Sequence, residues 1–214
     1  AFRRVSTFDP SPDELRELYL DLVKRSLTGA LAADNDSILG GVRTQGATTL
    51  KRRVASSVGQ LATRFGFEIA YKKPYDADAR ESGLDWPARA ESMIGLKRMT
   101  NIQESIAQVI ADDVPGDLIE TGVWRGGATI FMKANLNAWG DTTRKVWVAD
   151  YGRGRLIRVN ASRNRVEKTI RIPTADWITP AAGSHWVSSE TGFVYRVDPA
   201  RMKVLAKIAV GQNP

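Results

Sequence analysis

The stretch DLIETGVWRGGATIFMKANLNAWGDTTRKVWVAD, residues 117–150, decides how this chain is to be read. Asp117-Leu118-Ile119-Glu120-Thr121 is a short apolar run of the kind that forms a buried strand. Gly122, Gly126 and Gly127 mark a tight turn. Ala128 to Trp139 then carries apolar residues at helical spacing (Ile130, Phe131, Ala134, Leu136, Ala138), and Gly140-Asp141 ends the run. Val146-Trp147-Val148-Ala149-Asp150 is a second strand. Strand, glycine turn, helix and strand make one βαβ unit, for which parallel pairing is the default.

The order of residue types in this unit suits a nucleoside. The turn after the first strand opens the following helix, where unpaired backbone N–H groups and the positive helix end face the crevice. Glycines let a ligand come close to the backbone. An acid at the end of the second strand can accept both hydroxyls of a ribose. Here the first acid is Glu120, the turn is Gly122-Val123-Trp124-Arg125-Gly126-Gly127, and the second acid is Asp150, thirty residues after the first. The turn is not GxGxxG and no GK[ST] follows, which disfavours a dinucleotide or a triphosphate. On pattern alone a ligand site and a plain structural turn both remain open.

Upstream the chain reads as helical. Ser11-Pro12-Asp13-Glu14 is a helix start, with a capping Ser, Pro at the first helical position and acids in the first turn. Leu15, Leu18, Tyr19, Leu22 and Val23 follow at helical spacing, and Gly29 closes the run. Residues 30–46 read as a loop. Thr48 to Arg64 is a second helix, with Leu50, Val54, Val58 and Leu61 on one stripe and Lys51-Arg52-Arg53 on a solvated face. Residues 66–84 read as irregular. Trp86-Pro87 is expected to open a helix to Gly95, and Asn101 to Ala111 a further one, broken by Asp112-Asp113-Val114-Pro115-Gly116.

Downstream of Asp150 helical periodicity stops. Short runs alternate with turns: Leu156 to Val159, Val166 to Ile172, Trp186 to Ser188, Phe193 to Val197 and Val204 to Val210. This is an all-β texture. RVNASRNRVEKTIRI (158–172) lines up with RVDPARMKVLAKIAV (196–210) at a period of 38 residues, and VWVADYGRGRLI (146–157) with HWVSSETGFVY (185–195) across a one-residue gap. A repeat of about 40 residues built from short strands is the mark of propeller blades.

Composition narrows the field. The 214 residues are 43% hydrophobic and 26% charged, an ordinary globular balance. No cysteine is present, which removes disulfides, thiolate metal sites and cysteine nucleophiles, and one histidine, His185, removes any two-histidine mechanism. No stretch reaches the ~18–20 apolar residues of a spanning helix, and no apolar leader is visible, which points to the cytoplasm. Residues 1–150 balance their charges, so the net +7 comes from residues 151–214.

Several long words in the first part resemble a known family. LYLDLVKRSLTG (18–29), DWPARAESMIGLKRMTNIQ (85–103), GDLIETGVWRGGATIFMKA (116–134) and VWVAD (146–150) are similar to the macrocin O-methyltransferase family, over roughly residues 12–150. The family transfers methyl groups from S-adenosylmethionine to sugar hydroxyls of macrolides and related natural products. The resemblance implies a class I, Rossmann-like cofactor-binding half. It implies that Glu120, Thr121, Gly122, Val123 and Trp124 line the S-adenosylmethionine pocket, that Ser92 and Met93 contact the cofactor, and that Asp150 holds its ribose. It also implies Mg2+, whose ligands are not identifiable in this chain. In the family VWVAD runs on into a Ser-Phe-Glu-Gly-Leu-type loop; here it runs on as YGRGRLIRVN, and from Val146 onward the chain resembles YVTN-type β-propeller repeats, down to VGQNP (210–214).

The fold class expected is therefore α/β: a partial Rossmann-like methyltransferase of helices plus a βαβ unit over residues 1–150, followed by an incomplete, all-β, blade-like segment over 151–214. Each part would leave a sheet edge or an apolar face bare unless the two pack on one another. The function expected is an S-adenosylmethionine-dependent O-methyltransferase acting on a glycosylated natural product. The half that would supply the base is replaced, so no catalytic residue is assigned. The chain then reads as a chimera, and the alternative is a non-catalytic binding or scaffold protein acting through its tail. His185 reads as a strand-edge histidine. Asp112-Asp113, Asp34 and Asp36 read as turn acids, and no metal site has credible spacing. Arg153, Arg155, Arg158, Arg163, Arg165 and Arg171 read as a solvated strand face, because no stacking aromatics interleave with them as in single-strand nucleic-acid binders. Trp147 and Trp186 occupy matching repeat positions and read as blade packing. The partners expected are a small-molecule acceptor and, through bare sheet edges, other copies of the chain; a membrane or a nucleic acid is not.

Overall fold

A computed structural model describes residues 9–32, 36–38, 50–67, 69–72, 74–160 and 162–211. Asp34, the start of the second helix at Thr48, the side chains of Asp36 and Lys51-Arg52-Arg53, and the last residues of VGQNP lie outside what is described. By its internal contacts the chain forms two compact units, one of Ala1–Val23 with Ile102–Pro214, the other of Lys24–Asn101.

The first unit is built around two four-stranded sheets. The first has the order β3-β4-β5-β6, with β3 Leu118–Glu120, β4 Lys145–Asp150, β5 Arg155–Asn160 and β6 Arg165–Arg171. The second has the order β10-β9-β8-β7, with β7 Ala175–Ala181, β8 Ser184–Ser189, β9 Phe193–Asp198 and β10 Lys203–Ala209. The expected βαβ unit is present: β3 pairs with β4 in parallel, with Leu118 opposite Val146, Ile119 opposite Trp147 and Glu120 opposite Val148. The crossover helix is α5 Gly127–Ala138. On its other side β4 pairs antiparallel with β5. The sheet thus continues across Asp150, and β4 gives the two parts of the sequence one common sheet.

Each face of β4 has a separate core. Val146 and Val148 join Met132 and Leu136 of α5 and Ile106 of α4 (Gly95–Ala111), with Leu118, Ile157 and Val159 packed alongside. Trp147 and Ala149 join Leu156 and, from the second sheet, Ile178, Val187, Tyr195 and Val197. Four successive residues of β4 are consequently buried. A run with no polar side is what a strand covered on both faces requires. Asp117 fastens its start: the carboxylate accepts the Lys145 N–H at 2.8 Å and the Trp147 indole N–H at 2.8 Å.

The tail forms the β-strands expected of it, plus β7. Pro180 argues against a strand in the sequence, yet β7 is an edge strand, where a missing N–H costs nothing. The two sheets face each other, and the described residues form no closed ring of blades. A propeller needs at least four.

Helix α1 is Pro12–Leu27. Its start is the expected cap: Ser11 Oγ accepts the Glu14 N–H at 3.3 Å, and the Glu14 carboxylate accepts the Ser11 N–H at 2.8 Å. The stripe Leu15, Leu18, Tyr19 and Leu22 is exposed, contrary to what its spacing suggests. The side that packs carries Leu20, Arg16 stacked 3.9 Å over the Trp139 ring, and Glu17 accepting from Gln103 at 2.9 Å.

The second unit holds β1 Asp36–Ile38 paired with β2 Ala70–Lys72, α2 Leu50–Arg64 and α3 Ala77–Ser82. The short elements β2 and α3 fall in the segment read as irregular. The helix expected from Trp86 does not form. Trp86 itself sits at φ 48, and the Ser92 N–H donates to Leu27 O at 2.9 Å instead of to a helical carbonyl. The helix begins only at Gly95, because Gly83 and Gly95 touch backbone to backbone: a Cβ on Gly95 would lie 2.3 Å from Gly83 N. Buried Arg80 donates from Nε to Asp85 at 2.6 Å and from Nη1 to Thr28 O at 2.7 Å.

Trp147 fills the sheet-to-sheet core and is fully buried. Trp147→Ala is expected to cost about 3–5 kcal/mol, the usual range for emptying an aromatic site. Urea unfolding followed by far-UV circular dichroism measures it.

Candidate functional site

The site is set by the parallel pair. Register puts Glu120 beside Val148, and Asp150 lies two residues further along the same strand. In strands residues two apart share a face. Glu120 and Asp150 therefore project from one face, at the carboxyl ends of neighbouring parallel strands. In open α/β sheets that is where ligands bind.

The turn between β3 and α5 leaves room beside them. Gly122 has φ 66 and Gly126 has φ 86, both in the left-handed region that disfavours a side chain. A Cβ added at either glycine meets no atom within 4 Å, so the demand for glycine comes from backbone shape, with open space beyond it. Gly126 is the N-cap of α5 and supplies no side-chain cap. Val123 packs against the helix-side core. Arg125 stacks 4.5 Å over the Trp124 ring, and Thr121 and Trp124 are half-buried.

Glu120 is held by Thr129, in the first turn of α5, whose hydroxyl donates to the carboxylate. Burial pushes the Glu120 carboxyl above the usual range, and the Thr129 hydrogen bonds offset part of that rise. Asp150 is engaged by the segment that follows it. Its carboxylate accepts the Arg153 N–H at 3.1 Å and pairs with the Arg155 guanidinium at 2.7 Å. Arg155 is directly opposite Asp150 in the β4–β5 ladder. This corrects the reading of Arg155 as part of a solvated face. Arg158 also departs from that reading, since it donates to Pro199 O at 2.6 Å.

Ser92 and Met93 belong to the other unit. Ser92 is buried and its Oγ accepts the Ile94 N–H at 3.5 Å; Met93 is half-buried. His185 is buried beside Trp147, ring centroids 4.3 Å apart and edge to face, and burial lowers its pKa against the opposing charge of Asp117. The described residues contain no group of three or more His, Asp or Glu that could hold a metal ion. Two participants were missed in the sequence. Thr129 lies nine residues after Glu120 and gave no signal beyond its place at the helix start. Arg155, five residues after Asp150, gave one: cross-strand partners of a short hairpin can be counted.

A parallel strand pair, an open glycine turn at a helix start and two acids on one face make up an α/β arrangement. The family model described as Macrocin-O-methyltransferase (TylF) matches residues 16–173, and the chain belongs to this family. The match runs past Asp150 through β5 and β6. A tetracenomycin-type 4'-O-methyltransferase acting on 8-demethyl-8-(2,3-dimethoxy-alpha-L-rhamnosyl)-tetracenomycin-C, from Streptomyces olivaceus, is 40% identical over 160 residues, 75% of this chain and 50% of its own length. Mycinamicin III 3''-O-methyltransferase of Micromonospora griseorubida is 39% identical over 67% of this chain and 46% of its own length. Demethyldecarbamoylnovobiocin O-methyltransferase of Streptomyces niveus is 52% identical over 37% of this chain and 30% of its own. The solved O-methyltransferase NovP is 37% identical, with a TM-score of 0.46 over 65% of this chain and 43% of its own. The chain spans half or less of the curated relatives it matches.

The raised Glu120 pKa fixes a direction for pH dependence. A carboxyl whose folded pKa lies above its unfolded value binds its proton more tightly when folded, so stability falls as pH rises from about the unfolded value of 4.5 through the folded one. Glu120→Gln keeps an acceptor for Thr129 and removes the buried charge. Its thermal midpoint is expected to exceed the parent's at pH 7, with the gap closing below pH 4.5. Paired thermal scans across pH 3.5–8 test this.

Proposed function

We propose that this chain is the cofactor-binding part of an S-adenosylmethionine-dependent O-methyltransferase whose acceptor is a sugar hydroxyl on a glycosylated natural product. The observation that carries the reading is the placement of Glu120 and Asp150 on one face around the open Gly122–Gly126 turn. S-adenosylmethionine supplies an activated methyl group on its sulfonium. Asp150 accepts the ribose hydroxyls, Glu120 fixes the turn through Thr129, and Thr121 to Trp124 line the cofactor. The family membership and the named substrates of the relatives support the acceptor class. No residue is assigned to the Mg2+ expected from the resemblance, and no step passes through it. In this reading residues 1–150 are the cofactor half and 151–214 an added β-segment, which makes the chain a chimera of a transferase and a repeat. No described helix is long and apolar enough to cross a membrane, and we place the protein in the cytoplasm. Self-association would run through the exposed edge strands β6 and β10.

A second reading is favoured by one contact: Arg155 holds Asp150, so a ribose must compete with an ion pair already made. If that pair prevails, the chain is a binding or scaffold protein acting through its β-sheets.

Calorimetric titration with S-adenosylhomocysteine separates the two. Saturable binding that weakens about 10- to 100-fold in Asp150→Ala, as expected for losing hydrogen bonds to a charged acceptor, supports the enzyme. No binding by a folded, monodisperse sample removes it. Arg155→Ala frees Asp150 and is expected to tighten binding about two- to fivefold, the weight of an exposed ion pair.

A further inference from the structure

Trp124 and Arg125 sit side by side in the turn between β3 and α5, and the Arg125 guanidinium lies 4.5 Å from the centroid of the Trp124 ring. Elsewhere arginines stack on tryptophans across element boundaries: Arg16 of α1 on Trp139 at the end of α5, Arg158 of β5 on Trp147 of β4, and Arg196 of β9 on Trp186 of β8. Those contacts fasten one element to another. The Trp124–Arg125 stack joins two consecutive residues and crosses no such boundary. Its setting differs as well. The turn follows Glu120 at the carboxyl end of β3 and opens α5. A Cβ placed on Gly122 or Gly126, on either side of the pair, meets no atom within 4 Å. Trp124 is half-buried and Arg125 is exposed.

An indole face attracts a cation, and the attraction grows as the cation is withdrawn from water. An exposed guanidinium keeps most of its hydration, so Arg125 holds the ring weakly. A cation carried into the turn by the rest of a ligand, and stripped of water there, competes for the same ring on better terms. The positive end of α5 and the charge of Arg125 both disfavour a cation in the turn, whereas the Trp124 ring and the Glu120 carboxylate favour one.

Resting on the S-adenosylmethionine reading above, we infer that Trp124 and Arg125 form a charge-sensing pair: Arg125 occupies the Trp124 ring until the sulfonium of the donor displaces it, and returns when the sulfur is neutral. Arg125 is then a specificity-determining residue that acts through Trp124, and the pair makes the site prefer the donor to its demethylated product. S-adenosylmethionine and S-adenosylhomocysteine differ by one methyl group and one charge, both at sulfur. Contacts to adenine, ribose and the amino-acid end therefore cancel in the ratio of their dissociation constants, and what remains is the contact at sulfur.

Calorimetric titration of the full chain with each of the two ligands reads this ratio in the parent, Trp124→Leu, Arg125→Met and the double variant. Trp124→Leu is expected to cut the preference for the sulfonium about 5- to 30-fold, the weight of a desolvated cation–π contact. Arg125→Met is expected to raise the preference about two- to fivefold, the weight of an exposed one. That gain is expected to vanish in the double variant, where no ring is left to vacate. Binding of S-adenosylhomocysteine reports that the site is folded in each variant; where Trp124→Leu loses it, Trp124→Phe carries the same comparison, with an expected fall of about two- to threefold from its weaker π-face. Equal ratios in the parent and the Trp124 variants overturn the inference while leaving the cofactor reading in place. An Arg125→Met gain that persists in the double variant also overturns it, because Arg125 then acts as a plain repulsive charge. A folded parent that binds neither ligand removes the cofactor reading, and the inference with it.

Discussion

Strand β4 has no solvent side, and the rest of the first unit depends on that. Its residues alternate between two cores, Val146 and Val148 toward the helices, Trp147 and Ala149 toward the second sheet. Each core alone would leave a bare apolar face, and burial of apolar area on both sides is what makes a three-residue neighbour such as β3 tenable. The backbone follows the same logic. β4 pairs in parallel with β3 over Val146 to Val148 and antiparallel with β5 over Lys145 to Asp150. Asp117 adds a polar clamp at the end where the short β3 cannot reach, tying one backbone and one indole donor of β4 to a single carboxylate.

The candidate site inherits its geometry from this strand. Parallel pairing with β3 sets Glu120 and Asp150 on one face, and the open turn follows β3. Antiparallel pairing with β5 sets Arg155 on Asp150. The two neighbours of β4 therefore treat the same carboxylate differently: pairing with β3 sets it on the face of Glu120, and pairing with β5 brings Arg155 onto it. The Glu120 carboxyl is held differently, because its partner Thr129 is uncharged and comes from the helix that the turn begins.

Much of this was legible in the sequence where the signal is local. The βαβ unit falls within a residue or so of its expected bounds, since an apolar run, three glycines and a 3.6-residue period leave little choice. The Ser11 cap is likewise a three-residue affair. What was not legible needed the assembled chain. Leu15, Leu18, Tyr19 and Leu22 have the right spacing for a buried stripe, yet Arg16, Glu17 and Leu20 make the contacts, because Trp139 and Gln103 offer a ring face and an amide that suit them better. The helix expected at Trp86 loses to a distant carbonyl at Leu27 and to the close approach of Gly83 and Gly95. Strand β7 drew no reading from the sequence, and it accommodates Pro180 because it is an edge strand. At the site, Glu120, the glycine turn and Asp150 were readable as a pattern, whereas the grip of Arg155 follows only once β4 is known to turn straight back into β5.

The continuity of the first sheet has a consequence for anyone dividing the gene. A cut after Asp150 separates two textures of sequence, but it does not separate two self-sufficient bodies. The upstream piece would carry Trp147 and Ala149 into water, and the downstream piece would lose the strand on which β5 aligns. Each fragment would own half of a bilayer of side chains, and sticky, poorly soluble products follow from that arithmetic of surfaces.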